Sequence, residues 1–130
     1  MKRVTGIGGI FIKAENPGQL YEWYEKHLGI KREPHGYGAL LHWREDENPE
    51  RRGETVWSLF EKHSKKFEPS RAPFMLNYRV DDMDALLEAL RAEGVEIDPK
   101  RDDSEYGKFA WIIDPEGNKI ELWEPPKDGA

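Results

Sequence analysis

The sequence predicts an α+β fold in which two βαβββ modules form a curved mixed-sheet half-barrel around a cleft. Residues 9–30 and residues 75–95 follow the same plan: an alternating strand leads through an acidic or amide cap into a helix, and a glycine closes the helix. Several short strands follow each helix along the chain. Two such units imply two curved half-sheets that face each other, and we expect function in the cleft between them.

The composition limits the class of protein. The chain has 130 residues, of which 37% are hydrophobic and five are Trp, and this is enough for the core of one domain. No apolar run approaches the roughly 18 residues of a membrane span, and the N-terminal segment predicts a strand rather than a signal peptide. The absence of Cys excludes disulfides, cysteine nucleophiles and thiolate metal sites.

The charge pattern argues against a nucleic-acid partner. The formal net charge is -6, and the basic residues between positions 51 and 66 are interleaved with acidic ones instead of forming a basic stripe. We therefore expect a cytoplasmic protein that binds neither nucleic acid nor a membrane.

Local signals place the elements of the first module, residues 4–60. Asn16 fits a helix N-cap, Pro17 fits the first helical position, and Gly29 fits the position after the helix end. Runs of β-forming residues flank loops that contain Gly, Pro and Asn. The predicted elements are a strand at Val4–Ala14, a helix between Asn16 and Gly29, a hairpin of Ile30–Glu33 with Ala39–Arg44 around Pro34–Gly38, a charged loop at Glu45–Gly53 and a strand at Thr55–Phe60.

A polar segment with two prolines, Glu61–Pro73, predicts a linker with room for one short helical turn. The second module follows at residues 74–125. Its helix carries apolar residues at helical spacing from Met83 to Leu90, and either Asp81 or Asp82 caps it. The remaining predicted elements are strands at Phe74–Val80, Val95–Asp98, Phe109–Ile113 and Lys119–Trp123, a glycine helix end at Gly94, a loop at Asp102–Gly107, a turn at Asp114–Asn118 and a frayed tail at 126–130.

Strand alternation predicts which side chains line the cleft. Asn77 and Arg79 occupy inward positions at which a core would place apolar residues, whereas Trp57 and Leu59 face the other way and should pack on a helix. A few converging polar groups within apolar walls are typical of a small-molecule pocket. In the structural alternative, Lys13, Arg79 and Lys119 lie at the solvated edge of the sheet, Glu121 is ion-paired with Arg79 or Lys119, and Met75 only fills a gap in the packing. The predicted ligand-binding residues are Phe11, Lys13, Ser58, Phe60, Met75, Asn77, Arg79, Glu121 and Trp123.

Three stretches carry a family likeness: the opening strand with Asn16 and EWYEKHLGI, the stretch NYRVDDMDALLEALRAEGVEI, and AWIIDPEGNKIELWEP. On these motifs the chain resembles the vicinal oxygen chelate superfamily, which has the fold of glyoxalases, bleomycin-resistance proteins and extradiol dioxygenases. The superfamily includes lyases, thiol transferases, dioxygenases, epimerases and drug-binding proteins, so the fold does not fix the activity. Because bleomycin-resistance proteins are dimers, the resemblance also implies a homodimer.

Metal-dependent members of the superfamily place four ligands on four strands that face the cleft. Glycine has no side chain to coordinate with, and a Met thioether suits soft ions rather than Zn, Ni, Fe or Mn. The four His residues show no local ligand spacing either. We therefore predict no metal and no other cofactor. The resemblance places the four ligand positions on Gly9, Ser58, Met75 and Glu121.

Three functions follow from these residues, and binding of a small organic ligand in a metal-free cleft is the predicted one. Aromatic side chains would stack on the ligand, and Arg79 or Lys13 would hold an anionic group. The alternative is a metal-independent lyase or isomerase, in which Glu121 is the general base and Arg79 stabilises the developing oxyanion. The missing ligands disfavour a metal-dependent lyase or dioxygenase.

Overall fold

The structure, a computed structural model, describes residues 2–34 and 38–127. No helix within these residues is long and apolar enough to cross a membrane. In chain order the described elements are β1 (Val4–Ala14), α1 (Pro17–Leu28), β2 (Ala39–Arg44), β3 (Arg52–Glu61), a 3-10 turn (Lys65–Phe67), β4 (Phe74–Val80), α2 (Met83–Ala92), β5 (Glu96–Ser104), β6 (Gly107–Ile113) and β7 (Lys119–Glu124).

The strands form one curved mixed sheet in the order β2-β3-β1-β4-β7-β6-β5. β1 and β4 pair antiparallel at its centre, so the two modules join edge to edge within one chain. Each module repeats one parallel pair, β1 with β3 and β4 with β7, whereas the other neighbouring strands are antiparallel. The predicted α+β fold is confirmed, with an open sheet that does not close into a barrel.

Both helices begin and end at their predicted capping residues. The Asn16 side chain accepts a hydrogen bond from the backbone N–H of Gln19 at 3.1 Å. Asp82, rather than Asp81, caps α2 and accepts from the N–H of Ala85 at 3.1 Å. The glycines that follow the two helices have φ angles of 70° and 79°, a conformation that glycine adopts without steric cost.

The predicted strand at Ile30–Glu33 is wrong, because none of its residues belongs to the sheet. The N–H of Glu33 donates to the carbonyl of Gly38 at 2.8 Å, but no strand ladder forms, and Ile30 packs against the core beside α1. In the described residues the first module is therefore βαββ. Residues 35–37 of the predicted hairpin turn, which include His35, lie outside the described residues.

Four strands extend beyond their predicted bounds, β3 and β5 by the most. β6 begins at Gly107 and β7 ends at Glu124, and the predicted loop Asp102–Gly107 is wrong, because only Glu105 and Tyr106 form a turn between β5 and β6. β3 begins at Arg52 instead of Thr55, because its ladder with β2 continues into the predicted charged loop. β5 extends past Asp98 to Ser104, through Pro99. β5 lies at the edge of the sheet, where a proline removes no ladder hydrogen bond, and its register with β6 shifts around that proline.

Both helices pack on one face of the sheet and leave the other face uncovered by helices. The apolar stripe of α2 from Met83 to Leu90 packs on β4, β6 and β7. Tyr21 of α1 packs with Trp57 and Leu59, which face the helix as predicted. The opposite face is called the concave face here. Its central side chains are Phe11, Met75, Asn77, Arg79, Glu121 and Trp123.

Tyr21 also fastens α1 to the edge of the sheet. The N–H of Leu59 donates to the Tyr21 hydroxyl at 2.8 Å, and the Ser58 hydroxyl lies 3.5 Å from the same oxygen. β2 pairs with β3 only as far as Trp57, so β2 supplies no acceptor for this buried N–H. The Tyr21 hydroxyl is therefore the acceptor for this N–H, which the described part of β2 does not reach.

We expect Tyr21→Phe to lower the free energy of unfolding by about 1–3 kcal/mol, because it leaves a buried N–H unpaired. Urea denaturation measures this loss. Tyr24→Phe is the matched control, since the Tyr24 ring packs on Trp57 but its hydroxyl makes no hydrogen bond in the described residues. Equal losses for the two variants would contradict the role of the Tyr21 hydroxyl.

Candidate functional site

The structure brings three predicted polar side chains together on the concave face. The strand register pairs Gly9 with Asn77, Asn77 with Glu121, and Glu121 with Trp111. Arg79 is the next inward residue of β4 after Asn77. Asn77 and Arg79 are only 2% and 4% exposed, so both are buried polar groups. With Trp123, the three polar residues make up what is called the polar half of the face.

Both carboxylate oxygens of Glu121 accept hydrogen bonds. Asn77 Nδ2 donates to Oε1 at 2.6 Å, and Trp111 Nε1 donates to Oε2 at 2.9 Å. Burial raises the pKa of the Glu121 carboxyl above its ordinary value near 4.5, against the lowering effect of these two hydrogen bonds. Lys119 does not pair with Glu121 but donates to the carbonyl of Lys66 at 2.9 Å. The ion pair of the structural alternative is therefore absent from the described residues.

The raised pKa of Glu121 predicts a specific pH dependence of stability. Since the folded pKa lies above the unfolded one, the stabilisation from this group is complete below pH 4.5 and is lost as the pH rises through the folded pKa. Glu121→Gln removes the titration. We expect the unfolding free energy of the wild type to fall relative to that of the variant as the pH rises, by about 1.4 kcal/mol for each unit of pKa difference.

Urea denaturation over a series of pH values measures this difference. Glu88→Gln, on the exposed side of α2, is the control for a glutamate outside the buried site. A difference between the wild type and Glu121→Gln that stays constant with pH, or that grows in favour of the wild type, would contradict a buried carboxyl with a raised pKa.

A side chain from the linker fills the rest of the concave face. Phe67, at the end of the 3-10 turn, is 0% exposed and packs with Phe11 and Met75. Its ring centroid lies 5.2 Å from that of Phe60. These four residues make up what is called the apolar half of the face. Three of them were predicted to line the cleft, and in this chain they form packed core.

Lys13 and Ser58, two further predicted ligand-binding residues, contact the elements around the apolar half. Lys13 Nζ lies 5.2 Å from the Phe67 ring centroid, within the range of a cation–π contact. Ser58 is buried, with its hydroxyl directed toward Tyr21. The structure therefore separates these two residues from the polar half.

The Arg79 guanidinium lies against two indole rings. Its Cζ is 5.1 Å from the Trp123 ring centroid and 5.5 Å from that of Trp43. Trp123 Nε1 donates to the carbonyl of Tyr106 at 2.8 Å, and the ring stacks on Phe109 with centroids 6.0 Å apart. Arg79 Nε is buried without a hydrogen-bond partner in the described residues. No carboxylate of the described residues forms an ion pair with this guanidinium.

Glycines give the indole of Trp43 its place beside Arg79. A Cβ atom on Gly6 or on Gly53 would collide with the Trp43 ring. The ring is also fixed by its Nε1, which donates to Thr55 Oγ1 at 2.8 Å. β1 shifts register between Ile7 and Gly9, and this bulge is the kind of irregularity that re-aims side chains beside functional sites.

The residues at the four aligned ligand positions do not fit a divalent metal ion. Gly9 offers no donor atom, and Met75 is buried among phenyl rings. Trp111 donates its N–H to the Glu121 carboxylate and so occupies a lone pair that a bound cation would need. The described residues contain no group of three His, Asp or Glu side chains that matches a metal site. The described histidines are exposed and lie apart: His27, His42 and His63.

The sequence predictions do not include three aromatic residues that shape the site. Phe67 had a signal, because it is the one Phe, Tyr or Trp in the polar linker. Trp111 lies two residues after Phe109 on β6, so alternation would place both rings on one face. Trp43 had no local signal, since its position depends on how the β2–β3 hairpin folds over β1.

A sequence profile of the Glyoxalase/Bleomycin resistance protein/Dioxygenase superfamily matches residues 6–122. Methylmalonyl-CoA epimerase from Mycobacterium tuberculosis is 25% identical with a TM-score of 0.62, and the match covers 97% of this chain and 91% of that one. Methylmalonyl-CoA epimerase from Streptomyces coelicolor, in complex with 2-nitronate-propionyl-CoA, is 17% identical with a TM-score of 0.67 and coverages of 94% and 98%.

A superfamily member from Vibrio splendidus 12B01 is 11% identical with a TM-score of 0.56, and the match covers 91% of this chain and 97% of that one. At identities this low the likeness shows the fold alone. The comparison with curated proteins gives no match. On the profile match, which spans most of its length, the chain belongs to the Glyoxalase/Bleomycin resistance protein/Dioxygenase superfamily.

Proposed function

We propose that this protein binds a small organic ligand at the polar half of its concave face, without a metal ion. The observation that supports this most is the unpaired state of two buried polar atoms, Asn77 Oδ1 and Arg79 Nε. An unpaired buried polar group costs about 1–3 kcal/mol, and such groups call for an explanation. Both atoms are shielded from solvent, but a ligand that supplies an acceptor for the Nη edge of Arg79 would offset part of the cost of burying this group.

A second candidate is metal-independent catalysis of the lyase or isomerase type, with Glu121 as general base and Arg79 as oxyanion stabiliser. The raised pKa of the Glu121 carboxyl favours it, because a base with a pKa nearer to neutral pH transfers protons more effectively. The two similar epimerases named above act on CoA esters. Against it, Asn77 and Trp111 occupy both oxygens of Glu121. Binding without turnover is therefore preferred.

A thermal-shift screen of small aromatic compounds tests the binding proposal. We expect a concentration-dependent rise in Tm for some of them, and Trp123→Leu should abolish it. Trp23→Leu is the matched control, because Trp23 is 50% exposed on the outer side of α1, far in the fold from the concave face. Ligands that stabilise both variants as well as the wild type would contradict a site at the polar half.

Metal analysis after dialysis tests for a metal site, and an assay of turnover separates binding from catalysis. We expect no stoichiometric Zn, Ni, Fe or Mn after dialysis; a bound ion that is lost in Glu121→Gln would overturn the metal-free proposal. If a compound from the screen is converted by the wild type but not by Glu121→Gln, the base mechanism replaces simple binding. The homodimer and the cytoplasmic location stay predictions.

A further inference from the structure

A surface pocket of about 600 Å³ opens beside the polar half, and Arg79 is among the residues that line it. The pocket lies between the segment that leads into β3, the end of β4 and the chain after β7. Thr5, Arg51 and Pro126 are among its other lining residues. Its volume is in the range of sites that hold small organic molecules, about 300–1,000 Å³.

The acids of this pocket are largely occupied by other partners. Asp81 accepts from Arg51 at 3.1 Å, and Glu124 accepts from the N–H of Met83 at 2.7 Å, at the start of α2. The exposed Glu50 is the third lining acid. In the described residues, Asp81 is thus the one lining acid that a lining arginine neutralises.

The cations of the pocket exceed its acids. Arg52, Arg79 and Lys127 line the pocket and make no ion pair within residues 2–34 and 38–127, whereas Arg51 is already paired. Four cations therefore face three acids in a chain whose net charge is -6. Glu54 and Glu45, outside the lining, also act on the charge of Arg79, so the feature that favours an anion is the lack of an ion pair at Arg79, Arg52 and Lys127 within the described residues.

The free end of the Arg79 guanidinium is accessible, although the residue is 4% exposed. Its Nε is fully buried, but neither Nη atom belongs to the fully buried unpartnered atoms, and neither donates to a described residue. The Nη edge therefore meets solvent, which a ligand can displace. A guanidinium edge binds a carboxylate through two parallel hydrogen bonds, in the plane that also stacks on aromatic faces.

We propose that the ligand is a planar organic acid whose carboxylate binds the Nη edge of Arg79 and whose apolar body lies in the pocket, against Val80, Pro125 and Pro126. This inference rests on the proposed function and specifies its ligand class. The guanidinium without an ion pair favours an anion, and its planar edge, held between two indole rings, favours a planar carboxylate. The basic residues Arg52 and Lys127 attract the acid to the pocket.

Benzoate and its neutral analogue benzamide test the proposal. We expect benzoate, titrated into the ¹⁵N-labelled protein, to shift the side-chain Nε–H signal of Arg79 in a saturable way. The absence of this signal in Arg79→Met assigns it. Benzamide has the same ring without the charge, so it should bind about tenfold to a hundredfold more weakly, as should benzoate to Arg79→Met. Arg91→Met, on the exposed end of α2, is the control and should bind benzoate like the wild type.

The outcomes separate this inference from the proposed function. If benzamide shifts the signal as strongly as benzoate, the ligand class is wrong and small-molecule binding stands. If phenyl phosphate binds more tightly than benzoate, the preference for a planar acid is wrong. If neither benzoate nor benzamide binds, but neutral aromatic compounds of the thermal-shift screen do, the role of Arg79 is overturned. If no compound of either set binds, both proposals fall.

Discussion

Replacing Phe67 by Ala is expected to lower the free energy of unfolding by about 3–5 kcal/mol, the usual cost of truncating a buried phenyl ring. Phe67 has no exposed surface and contacts Phe11 and Met75. It is also the one buried apolar residue of the 3-10 turn, so its loss leaves a cavity in the apolar half and removes an apolar contact between the linker and the sheet. Urea denaturation measures the loss.

Phe74→Ala is the matched control for this substitution. Phe74 is 50% exposed at the start of β4, so we expect a loss well below half of that for Phe67→Ala. In the Phe67 variant, benzene should restore part of the stability, because apolar cavities of this size bind such molecules. A loss of under 1 kcal/mol, or no response to benzene, would mean that Phe67 does not fill the apolar half.

Local rules predicted the parts of the fold that depend on neighbouring residues in the chain. Asn16 and Asp82 cap the helices because a side-chain oxygen reaches an N–H three residues later, which any sequence window reveals. Alternation along β4 and β7 placed Asn77, Arg79 and Glu121 on one face, because the side-chain period of a strand is two. The polar half was therefore predictable residue by residue.

The features that depend on distant contacts were not predictable. Phe67 reads as part of a polar linker, and its burial requires the sheet to exist first. Ile30 is a β-branched residue that favours strands, yet it packs in the core beside α1 and not in the sheet. Pro99 ends a strand by propensity, but at a sheet edge it is tolerated. In each case tertiary packing outweighs a local preference.

Arg79→Met should separate stability from binding at the polar half. Burial lowers the pKa of the Arg79 guanidinium, because the site disfavours its charge, and no described carboxylate pairs with it. Desolvation is the largest of the effects on this group and outweighs the favourable charges of Glu54 and Glu45, so an apolar chain of similar length should remove a cost, and we expect about 1–3 kcal/mol more unfolding free energy in the absence of ligand. The two indole contacts of Arg79 offset part of this gain, since each is worth about 0.5–2 kcal/mol.

The same variant should lose the stabilisation by benzoate that the wild type gains. Arg91→Met is again the control, because its exposed side chain should change stability by less than about 0.5 kcal/mol and leave the response to benzoate intact. A cation that destabilises the free protein but binds a ligand is an example of the trade-off between stability and function that is common at functional sites. If Arg79→Met is instead less stable than the wild type by more than 1 kcal/mol, the indole contacts dominate and Arg79 is a structural residue.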